Sequence, residues 1–152
     1  MNSLIREQNF EEFIFSTDKA RIDRSYVHDY LSNRSYWATG IPAEIVNRSI
    51  DNSLSFGVYE SDKQIGFARV VTDFGTFAYL ADVFIDETYR GRAIAKNLMQ
   101  FIFSLPELQS LRRLMLATRD AHSLYARYGF KPLAFPERFM ELHRPDVYKR
   151  TT

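Results

Sequence analysis

The 152-residue chain contains no cysteine. Disulfides, thiolate metal sites and a covalent thioester on the protein are therefore excluded. Net charge is almost absent: 20 Lys and Arg stand against 19 Asp and Glu, giving +1 with histidine neutral. Such a balance exerts no general pull on nucleic acid or on a membrane surface, so neither is expected as a partner. Long apolar runs are missing as well. Residues 1–9 are polar and lack the apolar core of a signal peptide. The run FAYLADVFI (77–85) is too short to span a bilayer and carries Asp82. A cytoplasmic location is the expectation. The three histidines, His28, His122 and His143, show no close pairing of the metal-ligating kind, and no metal is expected.

What is present reads as a soluble globular chain, with 45% hydrophobic and 26% charged residues and a length suited to one domain, 1–152. EFIFS (12–16) alternates and predicts a strand. Asp23 suits the N-cap of a helix over 24–31, with Tyr26, Val27, Tyr30 and Leu31 on one stripe. SNRSYWATGIP (32–42) is a loop, and Pro42 fits the first position of a second helix carrying Ile45, Val46 and Ile50. Three strands follow over 53–60, 65–73 and 77–85, joined by short polar turns that imply an antiparallel meander. A helix from Ala93 puts Ile94, Leu98, Phe101 and Ile102 on one face, and Pro106 limits it. RRLMLAT (112–118) predicts a strand, and 120–128 a helix that stops at Gly129. FKPLA and RFMELH are the last strand candidates. The expected order is β-α-α-β-β-β-α-β-α-β-β, a mixed, mostly antiparallel sheet with helices on its faces, in the α+β class.

YRGRAIAKN (89–97) lies between a strand and a helix. Such a turn leaves backbone N–H groups without partners inside the helix, and with the helix dipole they favour a phosphate. Gly91, Ala93 and Ala95 keep the approach clear, while Arg90, Arg92 and Lys96 add positive charge. An ordinary basic, solvated turn fits the same residues.

YRGRAIAKNLM resembles the Arg/Gln-x-x-Gly-x-Gly/Ala signature of the GNAT superfamily of N-acetyltransferases. Arg90 takes the first signature position, Ala93 the first glycine position and Ala95 the Gly/Ala position. AHSLYARYGF (121–130) resembles the family's second landmark, Ala-x-x-Leu-Tyr-x-x-x-Gly-Phe. The two stand in the family's order with a strand between them, and the inferred element order is the family's too. Two residues depart from the pattern. Ala93 replaces a glycine that gives the backbone room, and Thr118 stands where many members carry asparagine.

The resemblance implies a central twisted sheet and acetyl-CoA as co-substrate. Arg90, Gly91, Arg92, Ala93, Ile94, Ala95 and Lys96 would hold its pyrophosphate, with Thr118 beside the coenzyme. The backbone of Val83, Phe84 and Ile85 would hold the acyl arm and donate to the oxyanion. Without cysteine, a neutral primary amine attacks the thioester directly, both substrates being bound together. Tyr125 is the candidate acid for the departing thiolate. A thiol of pKa ~8.5 and a phenol of pKa ~10 differ by about 1.5 units, or ~2 kcal/mol, so the donation is a small uphill step. Plain packing is the alternative reading of Tyr125, because Ala121, Leu124 and Tyr128 share its face.

Asp82 is the candidate base. Alternation predicts Leu80, Asp82 and Phe84 on one face of their strand, where a carboxylate needs a partner or a cleft. Tyr36 and Trp37, in the loop that relatives use to shape the acceptor pocket, would wall it and attract an ammonium. His28 would sit nearby on the first helix. A coenzyme-binding sensor or interaction module of the same fold is the alternative to an enzyme. A small-molecule or peptide amine is the expected acceptor, and the chain is expected to be a monomer or a homodimer.

Overall fold

The computed structural model describes residues 5–149. Phe13 and Phe15 alternate inward from β2 (Phe13–Ser16) and are fully buried. β2 forms a hairpin with β1 (Glu7–Phe10), through a turn in which Glu11 takes a φ of 52°. One strand was expected here, and there are two. EQNF is polar and almost wholly exposed, so no apolar pattern announces it. Pairing holds it in place, together with the Glu7 carboxylate, which accepts from the Ser16 hydroxyl (2.6 Å) and from Arg21 (3.0 Å).

Asp23 caps α1 (Arg24–Asp29) as expected, its Oδ1 accepting from the Tyr26 amide at 3.0 Å. The helix then widens into a π-turn over Tyr30–Arg34. Pro42 is the N-cap of α2 (Ala43–Asp51), which buries Val46 and Ile50. The meander is β3 (Leu54–Glu60), β4 (Lys63–Thr72) and β5 (Phe77–Ile85), antiparallel throughout. α3 (Ile94–Phe103) buries Ile94, Leu98, Met99, Phe101 and Ile102. β6 (Arg113–Leu116) pairs parallel to β5. The six strands form one sheet in chain order, β1 to β6.

α4 (His122–Ala126) ends as a Schellman motif. The Gly129 amide bonds the Ala126 carbonyl at 3.2 Å and the Phe130 amide bonds Tyr125 at 3.4 Å. Gly129 has a φ of 93°, a left-handed conformation that glycine adopts without a Cβ penalty.

Neither of the last two expected strands forms. FKPLA contains Pro132, which cannot donate to a ladder, and RFMELH starts inside a 3-10 turn at Arg138 and pairs with no strand among the described residues. Residues 131–149 contain only a 3-10 turn at Pro136–Arg138 and are almost entirely exposed. The sheet therefore stops at β6.

Two apolar layers cover the sheet. One joins Phe15, Phe56, Ala68, Val70, Ala78 and Leu80 to α3 and to Tyr125 of α4. The other joins Phe67 and Phe84 to α1, the π-turn and α2. Leu80 thus faces one layer and Phe84 the other, against the strict alternation expected of β5. The cause is a bulge. Phe67 pairs with Phe84 but Arg69 pairs with Ala81, so β5 contains one extra residue, and Asp82 takes a φ of 55°. The extra residue flips the parity of everything beyond it. Among the described residues no helix is long and apolar enough to cross a membrane.

Candidate active site

β5 and β6 are in register only from Phe77–Arg113 to Leu80–Leu116. β5 continues to Ile85, while the chain turns away after Leu116 toward α4. The β6-side edge of residues 81–85 is left without a strand partner, and a cleft of about 610 Å³ opens there. Its walls include Tyr36, Trp37, Asp82, Val83, Thr118 and Tyr125. The bulge belongs to this site, because it directs Asp82 away from the α3 layer.

Asp82 finds the partner its position demands. Its Oδ2 accepts from Arg69 Nε at 2.9 Å and its Oδ1 from Trp37 Nε1 at 2.8 Å. Arg69 also donates to the Ser53 hydroxyl at 3.1 Å. The two charged side chains are only 17% and 10% exposed, so they are mutually desolvated. Trp37 is thereby fixed to the sheet, and Tyr36 packs edge-on against it at 5.0 Å. The Tyr36 face expected to attract an ammonium is covered by the Arg119 guanidinium at 3.8 Å.

Tyr125 is 8% exposed yet lines the cleft. Burial pushes its phenol up to about 12, with Tyr36 and Asp120 adding to the effect, and its hydroxyl has no hydrogen-bond partner among the described residues. Tyr128, one helical turn on, donates to the Lys96 carbonyl at 2.5 Å and ties α4 to α3. Thr118 Oγ1 accepts from the amides of Ala121 (3.0 Å) and Asp120 (3.4 Å), so it folds the turn that leads into α4.

A family model described as an acetyltransferase (GNAT) domain matches residues 51–132. The chain belongs to the GNAT acetyltransferase family. A GNAT-family protein from Xanthomonas campestris pv. campestris is 47% identical, with a TM-score of 0.88 over 91% of this chain and 97% of that one. A Gibberella zeae protein whose name is that of an acetyltransferase is 28% identical over 84% of each chain. A Clostridium acetobutylicum protein solved with acetyl-CoA shares the fold at 14% identity, with a TM-score of 0.54 over 92% of this chain and 95% of that one.

The GNAT signature residues lie where β5 hands over to α3, beyond the cleft walls but at the end toward which the open edge runs. A 3-10 turn at Glu87–Tyr89 leads into them. Gly91 has a φ of 81° and Ala93 a φ of 58°. The glycine preference at position 93 thus has a conformational cause as well as a steric one, since left-handed alanine is strained. Ala93 is the N-cap of α3, and no side chain caps this helix. Its carbonyl accepts from the Asn97 amide (3.2 Å) and side chain (2.8 Å), which leaves the first-turn amides free for a ligand. Arg90 is exposed and 3.8 Å from Glu87. Arg92 is paired with Glu12 and stacked on Phe13 at 4.9 Å. Asp86 and Glu87 receive Arg34, and Glu87 also accepts from the Tyr30 hydroxyl at 3.0 Å, so the π-turn braces the loop from behind.

Of the expected site residues, Tyr36, Trp37, Asp82, Val83, Thr118 and Tyr125 meet in one cleft. Phe84 offers only its backbone, because its ring is buried against Tyr30 at 3.8 Å. Ile85 packs on the α3 layer and Ile94 is buried in it. His28 is not part of the cleft lining; its Nε2 lies 3.0 Å from the Ile41 carbonyl. Arg69, Tyr79, Arg119 and Asp120 also line the cleft and were not foreseen. Arg69 had a signal, as the single charge within the apolar run IGFARVV, where a strand cation needs a counter-charge. Among the described residues no three His, Asp or Glu side chains gather as a metal site would require.

Proposed function

We propose that the protein transfers an acetyl group from acetyl-CoA to a primary amine, with both substrates bound at once. The observation that carries this reading is the uncovered edge of β5 at 81–85, whose first residues share the cleft with Tyr125 and whose chain continues through the signature turn to the uncapped start of α3. An extended pantetheine arm matches an edge of free backbone groups, and a diphosphate matches free helix amides beside Arg90 and Lys96. The acetyl-CoA seen in the Clostridium acetobutylicum neighbour supports this choice of donor.

In this reading the amine nitrogen bonds to the acetyl carbon and the carbon–sulfur bond breaks. The proton shed by nitrogen leaves through water, and the sulfur departs as a thiolate. A backbone N–H of the open edge donates to the carbonyl oxygen as it gains charge. Tyr125 donates a hydrogen bond to the sulfur. Full proton transfer from a phenol at about 12 to a thiolate of pKa ~8.5 costs ~5 kcal/mol, so Tyr125 steadies the leaving group rather than surrendering its proton. Asp82 already accepts on both oxygens, so it holds Arg69 and Trp37 in place and the base role falls to water. Tyr36 and Trp37 wall the acceptor side.

An assay of free thiol release over a panel of amines tests the proposal, run beside Tyr125→Phe. Release with at least one amine is expected. The variant should lose turnover about 10²-fold while binding acetyl-CoA as tightly as the parent. Tight binding without release for any amine would favour the coenzyme-binding module. The commitment of Thr118 to the turn before α4 and of Arg92 to Glu12 is what favours that second reading.

A further inference from the structure

The cleft is lined by two arginines and two aspartates, Arg69, Arg119, Asp82 and Asp120. Arg69 and Asp82 are matched to each other at 2.9 Å, and each is tied down further, to Ser53 and to Trp37. Arg119 and Asp120 are different. Both are exposed, and among the described residues neither side chain has a hydrogen-bond or ion-pair partner. Although adjacent in the chain, they do not pair with each other. Thr118 folds the turn that carries them, through its bonds from the amides of Asp120 and Ala121.

Arg119 is nevertheless held in place. Its guanidinium lies 3.8 Å over the Tyr36 ring, Tyr36 packs on Trp37 at 5.0 Å, and Trp37 is bonded to Asp82. Stacking covers one face of the guanidinium and leaves the N–H groups in its plane, a fork that matches a carboxylate. The same stack removes Tyr36 as a seat for an ammonium, and the guanidinium repels one. A cationic amine therefore docks elsewhere in the cleft. Asp120 is the one carboxylate lining it that is without a partner among the described residues. It stands close enough to Tyr125 to help hold that phenol high.

We propose that the acceptor is a free amino acid, whose ammonium is received by Asp120 and whose carboxylate is received by Arg119. This rests on the transfer reading above and narrows its acceptor. A polyamine would set a second positive charge against Arg119, and a simple monoamine would leave Arg119 without a counter-charge. The cleft also offers Trp37 and Tyr79, 42% and 36% exposed, as apolar surface for the side chain, so an apolar or aromatic one fits. The ammonium is held on the Tyr125 side of a cleft that Ala81, Asp82 and Val83 also line. Its proton passes to water before the nitrogen attacks. Arg119 keeps the carboxylate and takes no part in the bond changes.

Equilibrium dialysis with CoA present reads the site without turnover, at pH ~6.5 where an α-amine is still protonated. Each common amino acid is compared with its carboxamide, which keeps the ammonium and the side chain and loses the carboxylate charge. At least one amino acid should bind ~10–100-fold tighter than its carboxamide, as a charge-assisted pair allows. Arg119→Gln should abolish that ratio and leave carboxamide affinity as it was. Asp120→Asn should weaken both members and leave the ratio intact. Both side chains are exposed, so neither substitution disturbs the core. Three results would overturn the proposal: no amino acid bound more tightly than its carboxamide, a ratio that survives in Arg119→Gln, or affinities indifferent to Asp120→Asn. Thiol release from acetyl-CoA with the same amines judges the transfer separately. An amino acid that binds in this pattern and releases no thiol sinks the transfer and leaves the selectivity standing. Equal release with amines that lack a carboxylate does the reverse.

Discussion

β5 has two edges, and they do opposite things. Toward β4 it is paired from Thr72–Ala78 to Gly66–Ile85, with Phe67 and Phe84 packed at 6.0 Å beneath the ladder. Toward β6 it is paired over four residues and then abandoned. The same backbone is a structural element on one side and a set of unspent donors and acceptors on the other. Local hydrophobicity does not create the difference. It comes from where the neighbouring strand ends, and from one inserted residue at Asp82 that turns a carboxylate toward Arg69 and Trp37.

If the edges differ in this way, damage to them must differ in kind. On the closed side, Phe67→Ala removes a fully buried ring and should cost ~3–5 kcal/mol in denaturant unfolding. Arg69→Met strands a nearly buried Asp82 carboxylate and should cost ~3 kcal/mol. Arg69→Met/Asp82→Leu should recover most of that loss, because the pair rather than either charge is what the bulge needs.

On the open side, Tyr125→Phe should lower kcat about 10²-fold, or ~2.7 kcal/mol of barrier, with the unfolding midpoint almost unchanged. The same variant isolates a pH effect. A phenol held at about 12 when folded and ~10 when unfolded contributes stability below pH ~10 that is lost as pH rises to about 12. That part of the alkaline loss, up to ~3 kcal/mol, should be missing from Tyr125→Phe. Smallest of all, Ala93→Gly relieves a left-handed alanine and should stabilise the fold or leave it within ~1 kcal/mol. It should also tighten acetyl-CoA if the turn grips the diphosphate.

Elements carried by apolar pattern and by capping chemistry were legible in the sequence: β3 to β5, the Asp23 cap, the buried face of α3 and the Gly129 stop. The cleft was legible in its aromatic wall and in Tyr125. What escaped depends on partners distant along the chain. β1 is polar and exists because Phe10 and Phe13 pair across a turn. The bulge is set by register against β4, 13 residues away where Arg69 meets Asp82, and no local alternation reports it. His28 sits on the expected helix, but its ring turns to Ile41. FKPLA and RFMELH carry strand-like composition without a strand to join in their own chain, which is why the pattern was right about propensity and wrong about pairing.

Hydrogen exchange with and without saturating acetyl-CoA addresses the open edge most directly. Amides at 81–85 and 94–96 should gain protection, while those of β3 and β4, already in ladders, stay unchanged. Coenzyme that binds and leaves 81–85 and 94–96 exchanging as before would contradict the account, because its grip would then lie somewhere other than the abandoned edge of β5.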